Sequence, residues 1–428
     1  MSSPEAPPVA HHPTAAAPVA RTLAFTLGLL TIFGPISMDA YLPTLPALTF
    51  DLGATTSTAQ ATLTACLLGL AVGQVIAGPL SDRFGRRRPL LTGVVAYTVT
   101  SLLCAVSPTI ETLIAARFAQ GLAGAVGLVL AQAAGRDIYS GGKLVRFYGR
   151  LTMLAGLAAI VGPTIGGQLA RVTSWRGIFF ALSAIGVALL IICWIVFVET
   201  LPEDRRVSGG VGRTRDDMRR LLRDRTFVGA VLVAGFVSAA LFGYLGGATY
   251  VLQEIYGLSP QGYALVFGCN SVAFVFFGFV AGRLSEKWSE RKTLAAGLAL
   301  CFIGAVGTLV TGVLELPLSA IIGSLFVMSC GVATTKPPAA SIALTGYPDI
   351  AGTASSLLGL TRFALGGLAA PLVGLGGSHT AVPLGIVTAT AMTLACITFA
   401  AFARHRPEVA ASGPDWDDLA TEGPTKGA

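Results

Sequence analysis

The chain has 428 residues, 53% of them hydrophobic and only 12% charged, with a formal net charge of +7. A soluble domain of this length needs far more charged surface, so most of the chain must face lipid or other apolar helices. The arginines gather in alternate loops, as the positive-inside rule requires of a polytopic membrane protein, which removes nucleic acid as the reason for the charge.

Residues 1–20 are rich in Ala and Pro and lack a basic start, so they read as a disordered arm and not as a secretory signal. The first apolar run, Leu23 to Leu42, is long enough to cross about 30 Å of hydrocarbon at about 1.5 Å per residue. Later runs lie near 58–80, 90–107, 110–133, 151–170, 177–198, 226–252, 263–282, 293–313, 318–344, 353–376 and 381–402. These are twelve candidate spans, and the expected fold is an all-α integral membrane protein. The seven cysteines lie inside apolar runs without C-x-x-C spacing and read as small packing residues, with no disulfide framework and no metal site expected.

The second and third runs are separated by a cationic turn, Gly78-Pro-Leu-Ser-Asp-Arg-Phe-Gly-Arg-Arg-Arg-Pro-Leu90, and a weaker copy recurs at Gly282-Arg-Leu-Ser-Glu-Lys-Trp-Ser-Glu-Arg-Lys292. Gly282 minus Gly78 is 204 residues, so the chain reads as a duplication. The expected organisation is a six-helix bundle over 21–198, a polar linker over 199–225, a second six-helix bundle over 226–402 and a disordered acidic tail over 403–428. Placing the basic hairpins inside leaves Arg171 and Arg176 on the other face and puts both termini in the cytoplasm of a plasma-membrane protein. Parallel repeats of this kind place a substrate site between the halves, near the midplane.

An ionised group at mid-bilayer costs roughly 2.5 to 3.5 kcal/mol on insertion scales, so each one needs a reason. Asp39, between Pro35 and Pro43 in the first run, is the one carboxylate well inside a span. It reads as a proton or cation site facing a central cavity, or as a helix-end acid wetted at the interface. Arg117 in the fourth run lies at a matching depth, so an Asp39–Arg117 pair that keeps the acid ionised is a working expectation. Lys336 in the tenth run and Arg362 in the eleventh either snorkel to the headgroups or face the cavity. Tyr41, Gln74, Tyr244, Asn270 and Phe276 are further candidates for its lining.

The fifth run holds Gly156-Leu-Ala-Ala-Ile-Val-Gly-Pro-Thr-Ile-Gly-Gly167, whose Gly156, Gly162, Gly166 and Gly167 suit close helix approach while Pro163 adds a bend. In the first hairpin, Asp82 is expected to cap the next helix and Gly78 to admit a neighbouring one, with Gly85 and Arg86 completing a cytoplasmic latch.

Gly78-x-Leu-Ser-Asp-Arg-x-Gly-Arg-Arg resembles the loop signature between the second and third helices of the major facilitator superfamily, and Arg117-x-x-Gln-Gly resembles its fourth-helix motif. Gly156 to Gly167 resembles the fifth-helix motif of its drug/proton antiporters. Asp39-Ala-Tyr-Leu-Pro, Arg136-Asp-Ile-Tyr and Ala351-Gly-Thr-Ala-Ser-Ser-Leu-Leu-Gly359 are similar to the bicyclomycin/chloramphenicol-resistance branch. The resemblance implies proton-driven export of small, mostly apolar compounds, with Asp39 and Arg117 in proton coupling and Asp82, Arg83, Arg86 and Asp137 in the latch. Lys336 stands before Pro-Pro where the branch more often has a neutral residue before Pro-Asn, and Glu286 and Ser289 replace Asp82 and Gly85 in the second hairpin. The implied protein is a monomer, not an enzyme, working with a drug substrate, protons and the bilayer, without cofactor, metal or nucleic acid. The rival readings are an exporter of an endogenous metabolite and a nutrient importer on the same fold. No G-x-x-x-x-G-K-[ST] loop is present to support an ATP-driven pump.

Overall fold

The computed structural model describes residues 17–139, 147, 150, 151, 154, 158, 161–203, 206, 211–347, 350–377 and 379–402. The expected tail 403–428, nearly all of the expected arm and Gly156 lie outside them. In chain order the elements are α1 (Ala17–Asp39), a 3-10 turn (Leu42–Thr44), α2 (Leu45–Asp51), α3 (Thr56–Phe84), α4 (Arg87–Ala105) and α5 (Ile110–Ile138). Next come α6 (161–169, preceded by helical positions at 147, 150, 151, 154 and 158) and α7 (Trp175–Val196). Then follow α8 (Val211–Arg223), α9 (Arg225–Tyr250), α10 (Pro260–Trp288), α11 (Glu290–Val313), α12 (Leu318–Leu344), α13 (Ala351–Gly374) and α14 (Val382–Phe402). Eleven helices among the described residues are long and apolar enough to cross a membrane, and the partly described α6 occupies the place of the twelfth. The architecture is the all-α membrane fold expected from the sequence.

Long apolar segments become helices because in hydrocarbon every backbone N–H and C=O must find its partner within the chain. The helix ends are fixed by polar caps. Thr109 and Thr112 form a reciprocal capping box at the start of α5, Asp224 accepts from Thr226 N–H (2.7 Å) before α9, and Ser259 accepts from Gly262 N–H (3.1 Å) before α10.

The duplication is visible in the element boundaries. α3 and α10 are both 29 residues long, and their starts (260 − 56) and ends (288 − 84) both differ by 204. Each ends on a residue with positive φ, Gly85 at 83° and Ser289 at 131°. The closest helix pairs rest on glycines. A Cβ on Gly121 of α5 would lie 2.0 Å from the Cys66 carbonyl oxygen of α3, and one on Gly331 of α12 would lie 2.4 Å from the Cys301 nitrogen of α11.

The helices before residue 200 meet those after 225 at the end remote from the two basic hairpins. There Thr49 Oγ1 bonds Tyr250 Oη (2.7 Å), Gln253 Nε2 donates to Pro43 O (3.0 Å), and Gln60 Nε2 donates to Gly246 O (3.2 Å). Ser57 Oγ donates to Pro371 O (3.0 Å), Thr64 Oγ1 to Gly367 O (2.5 Å) and Gln261 Nε2 to Gly167 O (3.0 Å). All these bonds lie near the remote ends of α3, α6, α9, α10 and α13, so that end of the molecule is closed.

Candidate functional site

Asp39 is the last residue of α1. Pro35 within the helix and Pro43 in the following 3-10 turn interrupt the regular ladder around it, and the chain resumes as α2. The residue is buried, 8% exposed, and α6 lies against it, since a Cβ on Gly162 would come 3.1 Å from the Asp39 Cβ. One turn on, a Cβ on Gly166 would stand 1.8 Å from Ala40 O, and one on Gly167 would stand 2.8 Å from Ala264 Cβ of α10. The glycines of the fifth-run motif, with buried Pro163, therefore let α6 wedge between the Asp39 segment and the second group of helices.

Arg117 is not the partner of Asp39. It is fully buried inside the first group, where its Nη1 donates to Gln120 Oε1 (2.5 Å) and Ser37 O (3.4 Å). Gln120 in turn donates to Ser101 Oγ (2.8 Å) and Tyr97 Oη (3.3 Å). The rings of Tyr41 and Phe179 flank the guanidinium at 4.4 and 5.5 Å, and its Nε and Nη2 have no hydrogen-bond partner among the described residues. The pairing failed as an expectation because helix depth fixes only height. A neighbouring glutamine and two aromatic faces, all in the same group, take up the charge. Tyr41 is accordingly committed to this box and to Thr62 (3.3 Å), and does not line an open cavity.

Across the divide, Lys336 of α12 and Arg362 of α13 lie together. Neither cation snorkels to a helix end. Lys336 Nζ lies 4.5 Å from the centre of the Phe274 ring, and both side chains line one crevice with Val233, Val237, Ser238 and Leu358. Its free volume is about 10 Å³, room for about one water. Nearby, buried Asn270 donates to Tyr244 Oη (3.0 Å), and the Tyr244 ring stacks on Phe267 at 6.1 Å. Gln74, also buried, packs where a Gly359 Cβ would stand 2.1 Å from its Oε1, so it lies at the seam between the groups. Phe276 is 60% exposed on α10 and is not among the side chains that line this crevice. Composition could not have told its face from that of Phe274, two residues away.

The cationic hairpin forms a connected charge cluster. Arg86 is buried and bonds Asp82 (Nη1, 2.5 Å), Ser81 (2.7 Å) and, through Nε, Asp137 of α5 (2.9 Å). Asp137 also accepts from Thr200 Oγ1 (3.0 Å). Asp82 does not cap α4, because it belongs to the last turn of α3 and faces back toward Arg86. The cap is Glu199, whose carboxylate accepts from the N–H groups of Arg86 (2.7 Å) and Arg87 (3.2 Å) at the start of α4. Burial opposes the ionised form of Glu199. The backbone N–H groups of Arg86, Leu201 and Arg87 and the Arg206 charge outweigh it and hold the carboxyl below its usual range. Arg83 is exposed, lies 5.3 Å from the centre of the Phe84 ring and joins no ion pair among the described residues. A Cβ on Gly78 would meet nothing within 4 Å, so that glycine admits no neighbouring helix in this arrangement. Glu199 was missed because nothing local marks it; it is 113 residues from Arg86 in the chain.

Two similar groups of helices closed at one end, with a buried carboxylate at their seam and no large domain outside the spans among the described residues, define a membrane carrier. The chain belongs to the Major Facilitator Superfamily, whose sequence profile matches residues 27–371. It is 36% identical over 398 residues to an uncharacterised MFS-type transporter, YdgK, of Bacillus subtilis, covering 92% of this chain and 98% of that one. It is 31% identical to a chloramphenicol resistance protein of Pseudomonas aeruginosa (89% of each chain). It is 30% identical to a bicyclomycin resistance protein homolog of Haemophilus influenzae (84% of this chain, 90% of the other). The resemblance to the bicyclomycin/chloramphenicol-resistance branch, drawn above from the motifs, is borne out by these relatives. A solved bacterial homolog of the human lysosomal transporter Spinster, in an inward-facing, unoccupied conformation, shares the fold with a TM-score of 0.75 at 15% identity. The match covers 92% of this chain and 100% of that one. The chain is thus a multi-pass membrane transporter.

Proposed function

We propose that the chain exports small, mostly apolar drugs or antibiotics, with amphenicols and bicyclomycin-like compounds the first to try, in exchange for protons across the plasma membrane. The observation that carries the reading is Asp39, a buried acid at the broken end of α1, set where the two groups of helices meet. An acid so placed is the natural site for a proton that is taken up on one side and released on the other. Bundles over 21–198 and 226–402, joined by the 199–225 linker and with both termini cytoplasmic, rock about that site. In this orientation the closed end faces outward, and substrate arrives from the cytoplasm or inner leaflet. The crevice at Lys336 must widen to take a drug, because a pocket for such a ligand needs about 300 Å³ or more. Exchange then requires that proton and substrate differ in affinity between the inward and outward arrangements. The cluster of Asp82, Arg86, Asp137 and Glu199 serves as the cytoplasmic latch. The relatives' names support the drug class.

The test is expression in a drug-hypersensitive host challenged with an antibiotic panel, comparing wild type with Asp39→Asn at matched membrane abundance. The reading expects resistance from the wild type and its loss in the variant. Full resistance in the Asn variant assigns the proton to another group.

A further inference from the structure

Lys336 and Arg362 do more than occupy the crevice. We propose that they act as a charge filter, so that the pathway takes neutral and anionic apolar compounds and rejects cationic ones. The inference rests on the efflux reading above and names its substrate class. The two side chains line the same crevice, whose walls are otherwise Val233, Val237, Leu358 and short alanines. The hydroxyls beside them are already used within their own helices, Ser238 donating to Ala234 O (2.8 Å) and Thr335 to Val332 O (2.7 Å). Neither cation joins an ion pair among the described residues, and the Lys336 ammonium rests over the Phe274 ring.

The charge balance follows directly. No carboxylate lines the crevice, and one of its two bases is Arg362, whose guanidinium stays protonated. The crevice lining therefore carries at least one positive charge and no negative one, whichever state Asp39 is in. Between apolar walls such a charge is weakly screened. An apolar cation brought beside it meets like-charge repulsion that lowers its affinity by roughly 100-fold or more relative to a neutral compound of the same shape. A phenolate or carboxylate meets no such penalty. Discrimination then comes mainly from what the site repels.

The experiment uses the full-length protein in proteoliposomes with a pH gradient and no membrane potential. The panel holds size-matched apolar compounds, neutral, anionic and cationic, and includes triphenylphosphine oxide beside methyltriphenylphosphonium. The expected result is transport confined to neutral and anionic members. In the Lys336→Met/Arg362→Met double variant, the ratio of cation to neutral transport should rise at least about tenfold, whatever the absolute rates. Wild-type transport of cations at rates close to those of their neutral counterparts overturns the filter and leaves the efflux reading standing. So does an unchanged ratio in a double variant that still transports. If the double variant does not fold, the wild-type panel alone decides. Failure to move any compound ends the efflux reading and the filter with it.

Discussion

Removing the Glu199 carboxylate should release the start of α4 and loosen the hairpin. Four backbone N–H groups converge on it, from Arg86, Arg87, Thr200 and Leu201, at 2.7 to 3.2 Å. Two of these are helix-terminal donors that nothing else in α4 satisfies. Loss of a cap costs about 1 kcal/mol, and loss of a negative charge at a helix N-terminus adds about 0.3–1 kcal/mol. The side chain is 29% exposed, so water replaces part of what is lost. Glu199→Ala should therefore destabilise by about 1–2 kcal/mol, and Glu199→Gln, which keeps one acceptor oxygen, by about half as much. Because the folded carboxyl sits below its usual range, its contribution is complete above the unfolded carboxylate value of about 4.3. It fades as the pH falls through the lower, folded value. The gap between wild type and variant should stay constant from about pH 6 to 8 and close only in acid below about pH 4. Thermal unfolding in detergent, followed by a thiol-reactive fluorophore, reads this directly, since Cys66, Cys104, Cys193, Cys301 and Cys330 are buried until the fold opens. An unchanged midpoint for the Ala variant at neutral pH would refute the capping argument.

Gly166→Leu should abolish transport and lower membrane abundance, because even its Cβ would strike Ala40 O. Gly78→Ala, whose Cβ meets open space, should be silent in the same immunoblot and transport assays. Ser289→Gly should stabilise by about 0.5–1 kcal/mol, by releasing a non-glycine residue from φ 131°, at the cost of a few tenths for its cap; Gly85→Ala, at φ 83°, should cost about 1–3 kcal/mol, both read as unfolding midpoints. Cysteines placed at Thr49 and Tyr250, whose native side chains touch across the closed end, should be joined by a bifunctional methanethiosulfonate that spans the lost tyrosine ring, and should stop transport until reduced. Unimpeded transport by the cross-linked protein would mean that this end never opens.

The fold was legible because its causes are local and repeated. Apolar length sets the spans, and the 204-residue offset between hairpins reappears in the boundaries of α3 and α10. Arg86 meets Asp82 and Asp137, which the resemblance implied for the latch, whereas the approach of Gly162 and Gly166 to the Asp39 segment was not foreseen. The misses share a cause as well. Arg117 was placed by depth and Asp82 by motif, whereas their surroundings depend on which way each helix is turned. A helix apolar on all sides carries no periodic signal for that rotation. Lys336 and Arg362 sat undecided between headgroup and crevice for the same reason, and Glu199 reaches α4 only through tertiary folding.

The central claim is that Asp39 carries the proton that substrate is exchanged for. Purified protein in proteoliposomes holding a pH-sensitive dye tests it directly, with a transported drug applied as an outwardly or inwardly directed gradient. The account predicts that drug moving one way drives protons the other way in the wild type, and that Asp39→Asn abolishes the dye response. An Asn variant that still couples drug to protons, or protons that travel with the drug, would contradict it.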